Sequence, residues 1–113
     1  MFLSMVSRGA SGSRSSLERK RRKIAEIDRK LIRLMSQRVR LVQEIWLLKV
    51  RAELPFHDPE QEAKVLTRSR RWSRSEGLRP EFGVSVMSRL LQEGKTRAGR
   101  TLTKRTKGAR RKR

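Results

Sequence analysis

The sequence predicts an all-α protein, with three helices per chain and a very long first helix, assembled as an intertwined homodimer. Three observations carry that prediction. From Leu17 to about Ala52 there is no Pro or Gly, and apolar residues recur at heptad spacing. Pro55 then stops one helix and Asp58-Pro59 opens another, and Gly77 and Pro80 repeat the punctuation further on. No segment shows the apolar/polar alternation of a half-buried strand, and there is no internal repeat.

With Leu17 at heptad position a, the first helix carries Leu17, Ile24, Leu31, Arg38 and Ile45 at a, and Lys20, Ile27, Leu34, Leu41 and Leu48 at d. At 1.5 Å per residue, about 36 residues span roughly 54 Å. A compact domain of this length has a radius of gyration of only about 13 Å. The chain is too short to wrap such a helix by itself, so the seam is expected to continue onto a second subunit.

The second helix opens with Asp58 as N-cap, Pro59 at its first position and Gln61 at its third. Ala63, Val65, Leu66 and Trp72 supply its apolar positions, Gly77 closes it, and Leu78 is the usual apolar residue beyond a helix end. Pro80 begins the third helix, with Phe82, Val86, Met87, Leu90 and Leu91 at helical spacing. Arg79, where its N-cap belongs, offers no side-chain acceptor. Gly94 and Gly99 weaken helix propensity where a basic tail begins. The expected division is a basic disordered segment over 1–16, a helical domain over 17–98 and a disordered basic tail over 99–113.

Composition narrows the chemistry. The chain has no cysteine and a single histidine, His57, so thiolate metal sites and disulfides are excluded and neither metal nor cofactor is expected. No apolar run is long enough to span a membrane, and Met1–Val6 is too short for the apolar part of a secretory signal, so a cytoplasmic chain is expected. The net charge of +20 suggests a nucleic-acid binder, but the charge is uneven. Residues 1–23 carry seven basic and one acidic residue, residues 24–94 fourteen and ten, and residues 95–113 ten and none. The excess belongs chiefly to the ends. Lys104–Arg113, with seven cations, suits weak, non-specific and salt-dependent binding of a polyanion, but it lacks interleaved aromatics and any sequence-reading motif.

Arg38 is the anomaly in the seam, a charge among Ile and Leu, and is costly there unless it is paired or faces an anion. Arg21 and Lys49 fall at position e of the same frame, so three cations line one groove. Two readings stay open on the pattern alone. Either Arg38 snorkels or pairs with an acid such as Glu62 or Glu44 and the other two are solvated edges, or the three receive an anionic ligand. Asp58 and Glu62, four apart on one helical face, read equally as a cap plus a surface acid or as paired carboxylates. Trp72 and Phe82 read as core anchors rather than stacking platforms. Gly94-Lys95-Thr96 resembles the end of a phosphate loop, but Arg89 stands where its first Gly belongs and no strand precedes it.

Arg21-x-x-Ile24-x-x-Ile27-Asp28-x-x-Leu31, then Gln37-Arg38, Lys49, Leu54-Pro55-x-x-Asp58 and Glu62 together resemble the all-helical type of chorismate mutase. The segment from Trp72 to Phe82 is similar to that family's turn between its second and third helices. The resemblance covers about residues 17–93 without a gap. It implies an isomerase of aromatic amino acid biosynthesis, in the shikimate pathway, that rearranges chorismate to prephenate. It also implies an interlocked dimer with two active sites. Arg38 and, from the other subunit, Arg21 would bind the two substrate carboxylates. Lys49 would contact a carboxylate and the ether oxygen of the breaking bond, Asp58 would shape the site, and Glu62 would accept a hydrogen bond from the ring hydroxyl. A pericyclic rearrangement of a flexible dianion needs neither nucleophile nor cofactor; it needs cations on rigid elements that hold the reactive conformer and oppose developing charge.

Two positions depart from the family. Gln61 stands where many members carry Arg, keeping hydrogen-bonding capacity without charge. In the third helix, where the family places Gln or Glu against the ether oxygen, the register gives Ala98, and neither Gln92 nor Glu93 shares its helical face. Loss of one such donor typically costs about two to three orders of magnitude in rate. The alternatives to a mutase are an impaired mutase-fold protein that binds nucleic acid or another polyanion through its basic ends, and a lyase that removes pyruvate from isochorismate. Asp58 and Glu62 favour the mutase over the lyase.

Overall fold

The computed structural model describes the backbone of residues 2–111 and the side chains of residues 12–102. Among these residues there are three α-helices and no strand: α1 (Phe2–Arg51), α2 (Pro59–Ser75) and α3 (Pro80–Arg111). Both ends run further than the glycines suggest, since α1 begins well before Leu17 and α3 passes Gly94 and Gly99 unbroken. A lone Gly costs about 1 kcal/mol relative to Ala, too little to end a helix without a Pro or a competing cap.

The chain divides into two compact units, residues 1–34 and 35–113. Residues 2–34 of the first are helical. Its seam residues Leu17, Ile24, Ile27, Leu31 and Leu34 are all exposed, Ile24 at 57%.

The second unit holds the last part of α1 together with α2 and α3. α1 ends at Arg51 with Glu53 in the left-handed region (φ 54°), and the Leu54 amide donates back to the Lys49 carbonyl at 2.9 Å. α2 starts as the sequence predicts: Asp58 is the N-cap, its carboxylate accepts from the Gln61 amide at 3.1 Å, and Pro59 follows. It ends on Gly77 (φ 78°), with the Leu78 amide donating to the Ser73 carbonyl at 2.8 Å.

Small residues bring α2 and α3 together. Ser69 and Ser73 are buried, and each hydroxyl donates to the carbonyl one turn earlier, on Val65 and Ser69. Gly83 lies against this stripe: a β-carbon there would come within 2.8 Å of the Ser73 β-carbon and closer still to its hydroxyl. The pairings Ser73 with Gly83 near the turn and Glu62 with Lys95 further away make the two helices antiparallel. α1 meets α3 where Gly94 faces Val42 and where the Gln43 side chain donates to the Thr101 hydroxyl at 3.1 Å. Trp72 and Phe82, expected to anchor the core, are instead 54% and 50% exposed. The close approach of the serines and glycine fills the space between α2 and α3 that large rings would otherwise occupy.

Candidate active site

The second unit holds an open cavity of about 270 Å³ between the end of α1, the 52–58 connection, α2 and α3. Its apolar wall includes Leu41, Val42, Ile45, Val65 and Leu91, and its polar groups are Arg38, Lys49, Asp58, Gln61, Glu62, Arg68 and Lys95. Five residues singled out in the sequence, Arg38, Lys49, Asp58, Gln61 and Glu62, therefore share one cavity.

Each is placed by its local structure. Arg38 and Lys49 sit eleven residues apart on α1, close to three helical turns, and so face the same way. Lys49 donates to the Phe56 carbonyl at 3.1 Å. The Phe56 ring in turn stacks on Trp46 with centroids 4.9 Å apart and planes 1° from parallel. This stack fixes the connecting segment against α1 and so holds the carbonyl that positions Lys49. Asp58 and Gln61 are joined by the N-cap bond, which sets the start of α2 at the cavity edge.

Arg38 is half-buried and forms no ion pair with Glu62 or Glu44 among the described residues; Glu62 pairs with Lys95 instead. Nη1 of Arg38 and Nε of Arg68 are both buried without a hydrogen-bond partner. Burial, and secondarily the positive charge of Arg68, push the Arg38 guanidinium below its ordinary pKa. Two guanidinium groups that repel one another beside an apolar wall, each with an unpartnered nitrogen, offer the donors that a bound anion would accept from.

Arg21 lies in the first unit, exposed, and pairs with Glu18 at 3.0 Å. Ala98 is 1% exposed and does not line the cavity. Sequence reasoning missed Arg68 and Lys95. A stripe taken three residues at a time from Glu62 through Val65 reaches Arg68, whose guanidinium also lies 5.6 Å from the centre of the Trp72 ring. Lys95 is one turn before Ala98 and was visible only as part of a phosphate-loop look-alike.

Comparison with known proteins decides the family. Residues 20–98 match the family described as chorismate mutase type II. The chain belongs to that family. Within 76 residues it is 33% identical to the T-protein of Enterobacter agglomerans, covering 67% of this chain and 20% of that protein. It is 28% identical over 75 residues to the chorismate mutase of Methanocaldococcus jannaschii, covering 66% of this chain and 76% of the archaeal protein. The chain thus spans about a fifth of the first relative and about three quarters of the second. No solved structure matches it. Among the described residues no cluster of His, Cys, Asp and Glu could hold a metal ion, and no helix is long and apolar enough to cross a membrane.

Proposed function

We propose that this chain is a cytoplasmic chorismate mutase that rearranges chorismate to prephenate in the Arg38–Lys49 cavity. The observation that carries this reading is the charge of the cavity: four cations, Arg38, Lys49, Arg68 and Lys95, against two carboxylates, Asp58 and Glu62. This surplus of two positive charges from one chain suits an anionic substrate, and the apolar walls suit a ring. Membership of the chorismate mutase type II family and likeness to the archaeal mutase support the same assignment.

The mechanism follows from residue type. Arg38 clamps one carboxylate through its planar fork, and Arg21 of the partner subunit clamps the other. Lys49 brings a point charge to the ether oxygen, where negative charge develops as the bond breaks. Glu62 accepts from the ring hydroxyl, Asp58 fixes the start of α2, and Gln61 donates from the rim. Nothing is transferred between protein and substrate; the rate gain comes from holding the compact conformer and stabilising the charge that develops as the bond breaks. The homodimer rests on exposed apolar surface. Leu17, Ile24, Ile27, Leu31, Leu34, Leu41, Ile45 and Leu48 stand 45–59% exposed on a single chain, and a second copy supplies a matching seam. The mutase domain is residues 17–98, with the basic segments 1–16 and 99–113 outside it.

The test is loss of chorismate absorbance with purified protein. We expect Lys49→Ala to lower turnover by at least about a hundredfold. If the protein and this variant are equally inert while folded and dimeric, the enzyme reading fails. The second reading then gains: a mutase-fold protein whose Lys104–Arg113 segment, with its seven cations, binds polyanions.

A further inference from the structure

We propose that Lys95 is a substrate-binding residue, the cation that α3 contributes to the ligand site; this rests on the mutase reading and extends it to a residue outside the expected set. The cavity draws charged groups from α1 (Arg38 and Lys49) and from α2 (Glu62 and Arg68). Among the described residues of α3, Leu91 and Lys95 line it, and Lys95 is the one polar group of the two. Gln92 and Glu93 border other surfaces, and Ala98 is buried in packing. An anion seated between Arg38 and Arg68 would otherwise meet hydrocarbon on its α3 side.

Two features suit Lys95 to a ligand more than to a structural bridge. Its ammonium pairs with Glu62, which itself lines the cavity, and the two side chains are 37% and 27% exposed. A pair partly open to water contributes only modestly to stability, yet it keeps the ammonium inside the site when the site is empty. Lys95 raises the surplus of positive charge that one chain brings to the cavity from one to two, beside the Arg21 that the partner subunit supplies. A lysine suits this wall because its single charge on a flexible stem can leave Glu62 for the incoming anion without a fixed fork to reorient.

The chain has no cysteine, so Lys95→Cys creates a unique thiol that aminoethylation converts into a lysine-like ammonium. Two readouts apply to the full-length protein: kcat/KM for chorismate, and the rise in unfolding temperature caused by prephenate. Lys95→Cys should lower kcat/KM at least about tenfold and abolish most of the prephenate-induced rise, leaving the ligand-free unfolding temperature nearly unchanged. Aminoethylation should recover most of both. A merely structural role would lower the ligand-free unfolding temperature and leave the prephenate-induced rise intact, which overturns the proposal. So does kcat/KM within twofold of the parent, and in that case the mutase reading stands. If the parent turns nothing over but prephenate stabilises it only while Lys95 is present, the mutase reading falls and Lys95 remains a ligand cation. If prephenate neither stabilises nor is formed by the parent, both fall.

Discussion

Folding disfavours the charged form of Arg38, because burial and the neighbouring Arg68 both lower its pKa relative to the unfolded chain. The sign follows from linkage: the unfolded state binds the proton more tightly, so the charge opposes folding wherever arginine is protonated, which includes neutral pH. Titration cannot remove that charge in a usable range, but substitution can. Arg38→Met should leave the ligand-free unfolding temperature unchanged or raise it, while prephenate no longer stabilises the variant. A clear fall in the ligand-free value would mean that Arg38 is a structural partner instead. Sequence alone exposed this residue, since a charge in an Ile/Leu seam is conspicuous. Lys49, Asp58, Gln61 and Glu62 stood out as site residues only through the resemblance of the chain to the chorismate mutase family. Arg68 and Lys95 stayed hidden because neither interrupts an apolar pattern. Each lies among other surface cations, and only the antiparallel pairing of α2 with α3 turns them inward.

Helix ends show how much of an element can be read locally. α1 and α2 finish alike, each with one residue in the left-handed region and an amide reaching five residues back, yet α2 uses Gly77 and α1 uses Glu53. A side chain at that position is strained by about 1 kcal/mol, which glycine avoids. Glu53→Gly should therefore raise stability by about 0.5 kcal/mol after the added freedom of the unfolded chain is counted, and Gly77→Ala should lower it by about 1 kcal/mol. Urea unfolding midpoints of the two variants, moving in opposite directions, would check this; a shared direction would contradict it. The caps at Asp58 and Gly77 were legible because a cap is a matter of neighbouring residues. The packing of α2 on α3 was not, since Ser69, Ser73 and Gly83 gain their meaning only from each other. Large rings at Trp72 and Phe82 looked like the anchors because size is visible in a sequence and close approach is not.

For the whole molecule, exposed apolar surface is the deciding feature. The sequence predicted a helix too long for its own chain to cover, and the chain leaves its seam from Leu17 to Leu48 open. Sedimentation at micromolar concentration should give a dimer mass, and Leu31→Glu, which puts a charge into the seam, should shift it toward monomer with parallel loss of turnover. A folded monomer with full activity would remove both the dimer and the shared role of Arg21. The all-helical class was legible from periodicity, while the extent of α1 and α3 was not, because isolated glycines read as stops. One feature of the cavity has a practical side. Of the two tryptophans, Trp46 lines the site and stacks on the residue whose carbonyl holds Lys49, whereas Trp72 stands outside the cavity. With Trp72→Phe, the indole of Trp46 becomes the sole emitter, and any occupant that draws Lys49 away from Phe56 alters its surroundings. The protein then carries its own optical gauge of occupancy, one that registers a ligand whether or not it is converted.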